Sequence, residues 1–73
     1  MPKLRVLSAA DVCRILRTHG FIEVRQRGSH IIMRKQLPER GITVPVPNHR
    51  EIARGTLKSI IEQSEISKDE FME

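Results

Sequence analysis

Three histidines, one cysteine and thirteen lysines and arginines are the side chains of this 73-residue sequence best suited to chemistry near neutral pH. His30 has the most distinctive surroundings. It closes the run Arg25-Gln26-Arg27-Gly28-Ser29-His30, and Arg34 and Lys35 follow it. Imidazole titrates near about pH 6.5 and can give or take a proton, while guanidinium groups clamp phosphate through paired hydrogen bonds. On residue types alone, two readings of His30 stand: an acid–base group among phosphate-binding cations, or a strand histidine beside a turn with no task.

The remaining reactive residues read more simply. His19 falls at the end of a helical pattern, where a histidine favours the dipole. His49 lies in a loop after a strand-like segment, as a structural histidine or one with a minor binding contact. Cys13 sits among Val12, Ile15 and Leu16 and reads as a small buried hydrophobe, whereas a reactive thiol needs an exposed, electropositive setting. A single cysteine excludes an internal disulfide and a thiolate cluster. A divalent-metal nuclease needs clustered carboxylates, and the acids in the first 58 residues are only Asp11, Glu23, Glu39 and Glu51, far apart in sequence. No metal and no cofactor is expected.

Those 58 residues hold 12 of the 13 Lys and Arg and carry +8, while residues 59–73 carry −4. A basic body with an acidic tail points to a polyanionic partner met by the body. The stretch Met1 to Leu7 lacks the continuous apolar core of a signal peptide, and the longest apolar run, Ile31-Ile32-Met33, is too short to cross a bilayer. The expectation is a soluble, cytoplasmic chain folding as one domain over residues 1–73, near the lower size limit for a single apolar core.

The elements that must position these residues can be read from periodicity and caps. Val12, Ile15, Leu16 and His19 repeat at helical spacing from Ser8 to His19, with Ser8 and Asp11 in capping-box register and Gly20 to stop the helix. Phe21 to Gln26, Ser29 to Lys35 and Ile42 to Val46 are strand candidates, the first two joined at Arg27-Gly28. Ile42, Val44 and Val46 share one face, and Pro45 requires an edge strand or an outward-facing ring nitrogen. Leu57, Ile60 and Ile61 predict a second helix over Thr56 to Ser64, starting at Gly55-Thr56. Ser67-Lys68-Asp69-Glu70 predicts a full capping box opening a last short helix that docks Phe71. The fold class is therefore α+β, in the order α-β-β-β-α(-α), with a three-stranded antiparallel sheet covered by helices on one face and open on the other. By strand parity His30 shares a face with Ile32 and Arg34, opposite Ser29, Ile31 and Met33. His30 and Arg34 would stand about 13 Å apart along the strand and bracket a nucleotide.

The ordered set Arg25 to His30, Arg34, Thr43-Val44-Pro45-Val46, Gly55 to Ile61 and Ser67 to Phe71 resembles the HicA family of bacterial toxins over nearly the whole chain. The resemblance implies a fold like the double-stranded RNA-binding domain, action on messenger RNA, a HicB-type antitoxin that masks the active surface, and a functional histidine at His30. The chain departs from the family pattern in lacking Tyr and Trp, with Met33 at a position often aromatic in relatives. With RNA as the substrate, metal-free cleavage uses the 2′-hydroxyl as nucleophile, His30 as general acid or base and arginines to offset charge on phosphorus. The RNA contacts expected are Arg25, Arg27, Ser29, Arg34 and Lys35 around the histidine. Arg54 and Lys58 are expected beside a phosphate-binding helix start at Gly55-Thr56. The rival reading is a non-catalytic RNA-binding module of the same fold, and a third is a pure interaction domain whose basic face meets an acidic protein.

Overall fold

The computed structural model describes residues 6–72, in the order α1 (Ala9–Thr18), β1 (Ile22–Arg27), β2 (His30–Gln36), β3 (Gly41–Pro47), α2 (Arg54–Ser64) and a 3₁₀ turn (Lys68–Phe71). The capping box at α1 forms as expected: the Ser8 hydroxyl accepts from the Asp11 N–H and the Asp11 carboxylate accepts from the Ser8 N–H, both at 3.1 Å. Val12, Cys13 and Leu16 form its buried face. The helix stops at Gly20, whose φ of +93° is the left-handed geometry that glycine adopts without strain.

The three strands pair antiparallel in the order β1-β2-β3. Their limits differ from the predicted ones by a residue, for visible reasons. The Phe21 N–H bonds the Leu16 carbonyl at 3.1 Å, so Phe21 belongs to the exit of α1. Ser29 belongs to the turn, and Gly41 and Pro47 extend β3 because they pair with Gln36 and His30. β3 is an edge strand, which accommodates the missing N–H of Pro45.

Directly opposed residues share a sheet face. Met33 with Val44, Ile31 with Val46 and Lys35 with Ile42 therefore lie on one side. There Met33, Ile42, Val44 and Val46 pack with Leu16 of α1, with Leu57 and Ile60 of α2, and with Ile52, Ile66 and Phe71. Arg27–His30–Pro47, Arg25–Ile32–Pro45 and Arg34–Thr43 occupy the other side, where no residue is fully buried. A helix, an antiparallel meander and a second helix make a small α+β domain of the double-stranded-RNA-binding-domain kind.

Two predicted helix starts are corrected. α2 begins at Arg54, because the Leu57 N–H reaches the Ala53 carbonyl at 2.9 Å; Thr56 lies inside the first turn and no side chain caps it. The last element is a 3₁₀ turn with half a cap. Ser67 accepts from the Asp69 N–H at 3.3 Å, but the Glu70 carboxylate bonds the His19 ring at 3.2 Å instead of returning to Ser67. Ile66 and Phe71 are nonetheless buried, so this segment is anchored as expected. Among the described residues no helix is long and apolar enough to cross a membrane.

Candidate functional site

The site is built around a two-residue hairpin turn. Gly28 has φ +59° while Ser29 does not have positive φ, and nothing lies within 4 Å of where a Cβ on Gly28 would stand. Glycine is thus required here by backbone sign and not by a close neighbour. The turn places His30 as the first residue of β2, opposite Arg27 on one side and Pro47 on the other. It also carries the Ser29 carbonyl, which accepts from the Asn48 N–H at 2.6 Å and ties the loop after β3 to the hairpin. That loop is pinned further: the His49 N–H bonds the Pro47 carbonyl, the Ala9 N–H bonds the His49 carbonyl, and the Ile52 N–H bonds the Leu7 carbonyl, at 2.8 to 2.9 Å.

His30 is exposed and lines two adjoining depressions. One, of about 480 Å³, lies on the open sheet face between Arg25, Arg27, Ile32, Thr43 and Pro45. The other, of about 440 Å³, passes the end of β3 toward α2 and is bordered by His49, Glu51, Thr56, Ser59 and Gln63. His30 and Pro45 belong to both, so the imidazole sits where the two meet.

Of the residues predicted to surround His30, the structure brings Arg25 and Arg27 to it, and places Ser29 beside it in the turn. Arg34 shares its face but not its site. Its guanidinium donates to the Thr43 hydroxyl and to the Gln36 side-chain carbonyl, both at 3.0 Å, and lies over Gly41, so it leans toward the far end of β2. His30 and Arg34 thus stand on one face as expected, with the Arg34 guanidinium engaged by neutral acceptors near the far end of β2. Lys35 projects to the helix-covered side with Ile42 and runs beside Gly20. Arg54 borders a separate depression with Val6, Glu51, Ile52 and Ala53, and Lys58 is exposed on α2. Met33 is fully buried on the opposite face, so position 33 has no access to a base stacked beside His30.

His49, expected as a structural loop histidine or one with a minor binding contact, borders the groove past the end of β3 together with Glu51, Ser59 and Gln63. The only signal available was the break at Pro47-Asn48 just after the strand that flanks His30. Cys13 is buried, and burial pushes its thiol up, away from the reactive range. Among the described residues the ion pairs are Arg14–Asp11, Arg17–Glu23, His19–Glu70 and Arg40–Glu65. Arg25 and Arg27 take part in none of them, so both charges remain available to an anion. Among the same residues, no three His, Cys, Asp or Glu side chains are gathered as a metal site requires.

An exposed histidine thus stands beside two arginines that make no ion pair among the described residues, on the open sheet face of such a domain. Residues 9–66 match the family described as the HicA toxin of bacterial toxin–antitoxin systems, and the chain belongs to that family. It is accordingly a toxin of a toxin–antitoxin pair. No curated protein matches the chain significantly.

Proposed function

We propose that this toxin, acting as one domain over residues 1–73, is a metal-independent endoribonuclease that cleaves messenger RNA in the cytoplasm and so stops translation. The observation that carries the reading is the position of His30. It is an exposed imidazole at the meeting point of two depressions, beside two guanidiniums that make no ion pair among the described residues. Arg25 and Arg27 hold the phosphate and offset the charge that grows on it, and His30 serves the step as a general acid or base. Ser29 offers a hydroxyl at the turn, Arg34 adds positive charge further along the same face of β2, and Lys35 on the covered side with Arg54 and Lys58 on α2 contribute to the positive field at longer range. A HicB-type antitoxin silences the toxin by covering the His30 face with acidic or aromatic groups aimed at Arg25 and Arg27.

The test is paired. Melting temperature and cleavage of messenger RNA are compared for wild type and His30→Ala in excess EDTA. His30 is exposed and its loss opens no cavity, so the variant should melt with wild type while its cleavage falls on the order of a hundredfold or more. A folded variant that cleaves as fast as wild type removes His30 from the reaction. Wild type that binds RNA in EDTA without cutting it is instead a binding module.

A further inference from the structure

Cleavage by the 2′-hydroxyl needs two proton transfers on opposite sides of phosphorus, because the attacking and leaving oxygens stand roughly in line. One imidazole cannot attend to both at once. The structure supplies a second on the same groove. We propose that His49 is the general acid of this toxin, donating a proton to the leaving 5′-oxygen while His30 receives the proton of the 2′-hydroxyl; the proposal rests on the ribonuclease reading given above.

Geometry is the first ground. Pro47 lies opposite His30, which sets their Cα atoms about 5 Å apart. His49 follows two residues later, at most about 7 Å further along the chain. Both side chains border the same depression, one from the middle strand and one from the loop beyond β3, so they can approach one phosphodiester from two sides.

Rigidity is the second ground. Loop residues commonly wander, but this one is tied at its N–H to Pro47, at its carbonyl to Ala9, and through Asn48 to the hairpin that carries His30. The bonds that hold the two histidines in register are main-chain bonds, so the imidazole of His49 has no structural duty in them.

In the step itself the O2′–P bond forms and the P–O5′ bond breaks. The 2′-hydroxyl proton passes to His30, and a proton from His49 passes to O5′. The products are a 2′,3′-cyclic phosphate and a 5′-hydroxyl, and exchange with water restores both imidazoles.

The deciding experiment uses two RNA substrates of one sequence, one natural and one with sulfur replacing the bridging 5′-oxygen at the cleavage site, since a thiolate leaves without being protonated. His49→Ala and His49→Gln, each checked by melting temperature, should lose on the order of a hundredfold on natural RNA. On the sulfur substrate they should return to within a few-fold of wild type, while His30→Ala should not recover. Natural RNA cut at the wild-type rate by the His49 variants, or no recovery on the sulfur substrate, overturns the proposal. Wild type inactive on both substrates in EDTA overturns the ribonuclease reading itself, a distinct result.

Discussion

Arg25, Arg27 and Arg34 share one face of the sheet and differ in what their guanidiniums already hold. The first two make no ion pair among the described residues, whereas Arg34 spends its donors on Thr43 and Gln36. An RNA phosphate must displace those bonds before Arg34 can serve it. Affinity measured across a salt series should therefore show the salt slope shrinking by about 0.7 for Arg25→Ala or Arg27→Ala, as one single-strand phosphate contact is lost. Arg34→Ala should change it less; an equal change would mean that Arg34 swings back toward His30. Gly28 offers a second residue-scale test. Its surroundings are empty, so Gly28→Ala carries only the left-handed backbone cost of about 1–2 kcal/mol. Gly28→Asn should cost less, and chemical denaturation of both variants checks the order.

Among the elements, the two helix starts marked by serine differ in quality, and their stabilities should differ accordingly. Ser8 and Asp11 satisfy each other's main-chain N–H groups, so Ser8→Ala should cost about 1 kcal/mol. Ser67 makes one longer bond into a four-residue 3₁₀ turn, and Ser67→Ala should move the denaturation midpoint less than Ser8→Ala does. The Ser8 box also gives the fold an acid limb. The Ser8 N–H, with the Ser8 hydroxyl and Arg14 after it, holds the Asp11 carboxyl below its ordinary value. A carboxyl lowered in the folded state stabilises the fold above its unfolded pKa, and that contribution fades as pH falls below about 4, through the lower folded value. Asp11→Asn should therefore flatten the loss of stability below that pH; an unchanged acid limb would place its origin elsewhere, at Glu65 for instance, whose carboxyl is lowered by Arg40.

At the scale of the whole molecule, two carboxylates of the acidic C-terminal segment are engaged elsewhere than at Arg25 and Arg27: Glu65 pairs with Arg40 and Glu70 with His19. The same segment closes the core: Phe71 is fully buried against elements from the other end of the chain. Phe71→Ala should cost about 3–5 kcal/mol. A domain of this size keeps a net stability of only about 3–5 kcal/mol. The expected result is a chain largely unfolded at room temperature by circular dichroism, and a cooperative melt near that of wild type would show that the C-terminal turn is dispensable.

What could be read directly from the sequence is what short-range physics decides. A capping box needs two side chains three residues apart, a hairpin needs a glycine where φ is positive, and a strand face needs alternating apolar residues. Hence α1, a turn at Gly28 (one residue later in the structure than the Arg27-Gly28 expected), the buried face of β3 and the exposed placement of His30 were legible in order along the chain. The start of α2 was not, because Ala53 caps it with its carbonyl alone and leaves no side-chain mark. The direction of Arg34 was not, because its acceptors lie partly on a neighbouring strand. Lys35, expected among the contacts around His30, lies instead on the helix-covered side with Ile42, where its stem runs beside Gly20. The groove joining His30 to His49 and Glu51 is wholly tertiary: the two histidines lie nineteen positions apart in the chain. They meet because β3 pairs back along β2 and Asn48 bonds the Ser29 carbonyl, contacts that exist only once the sheet has formed.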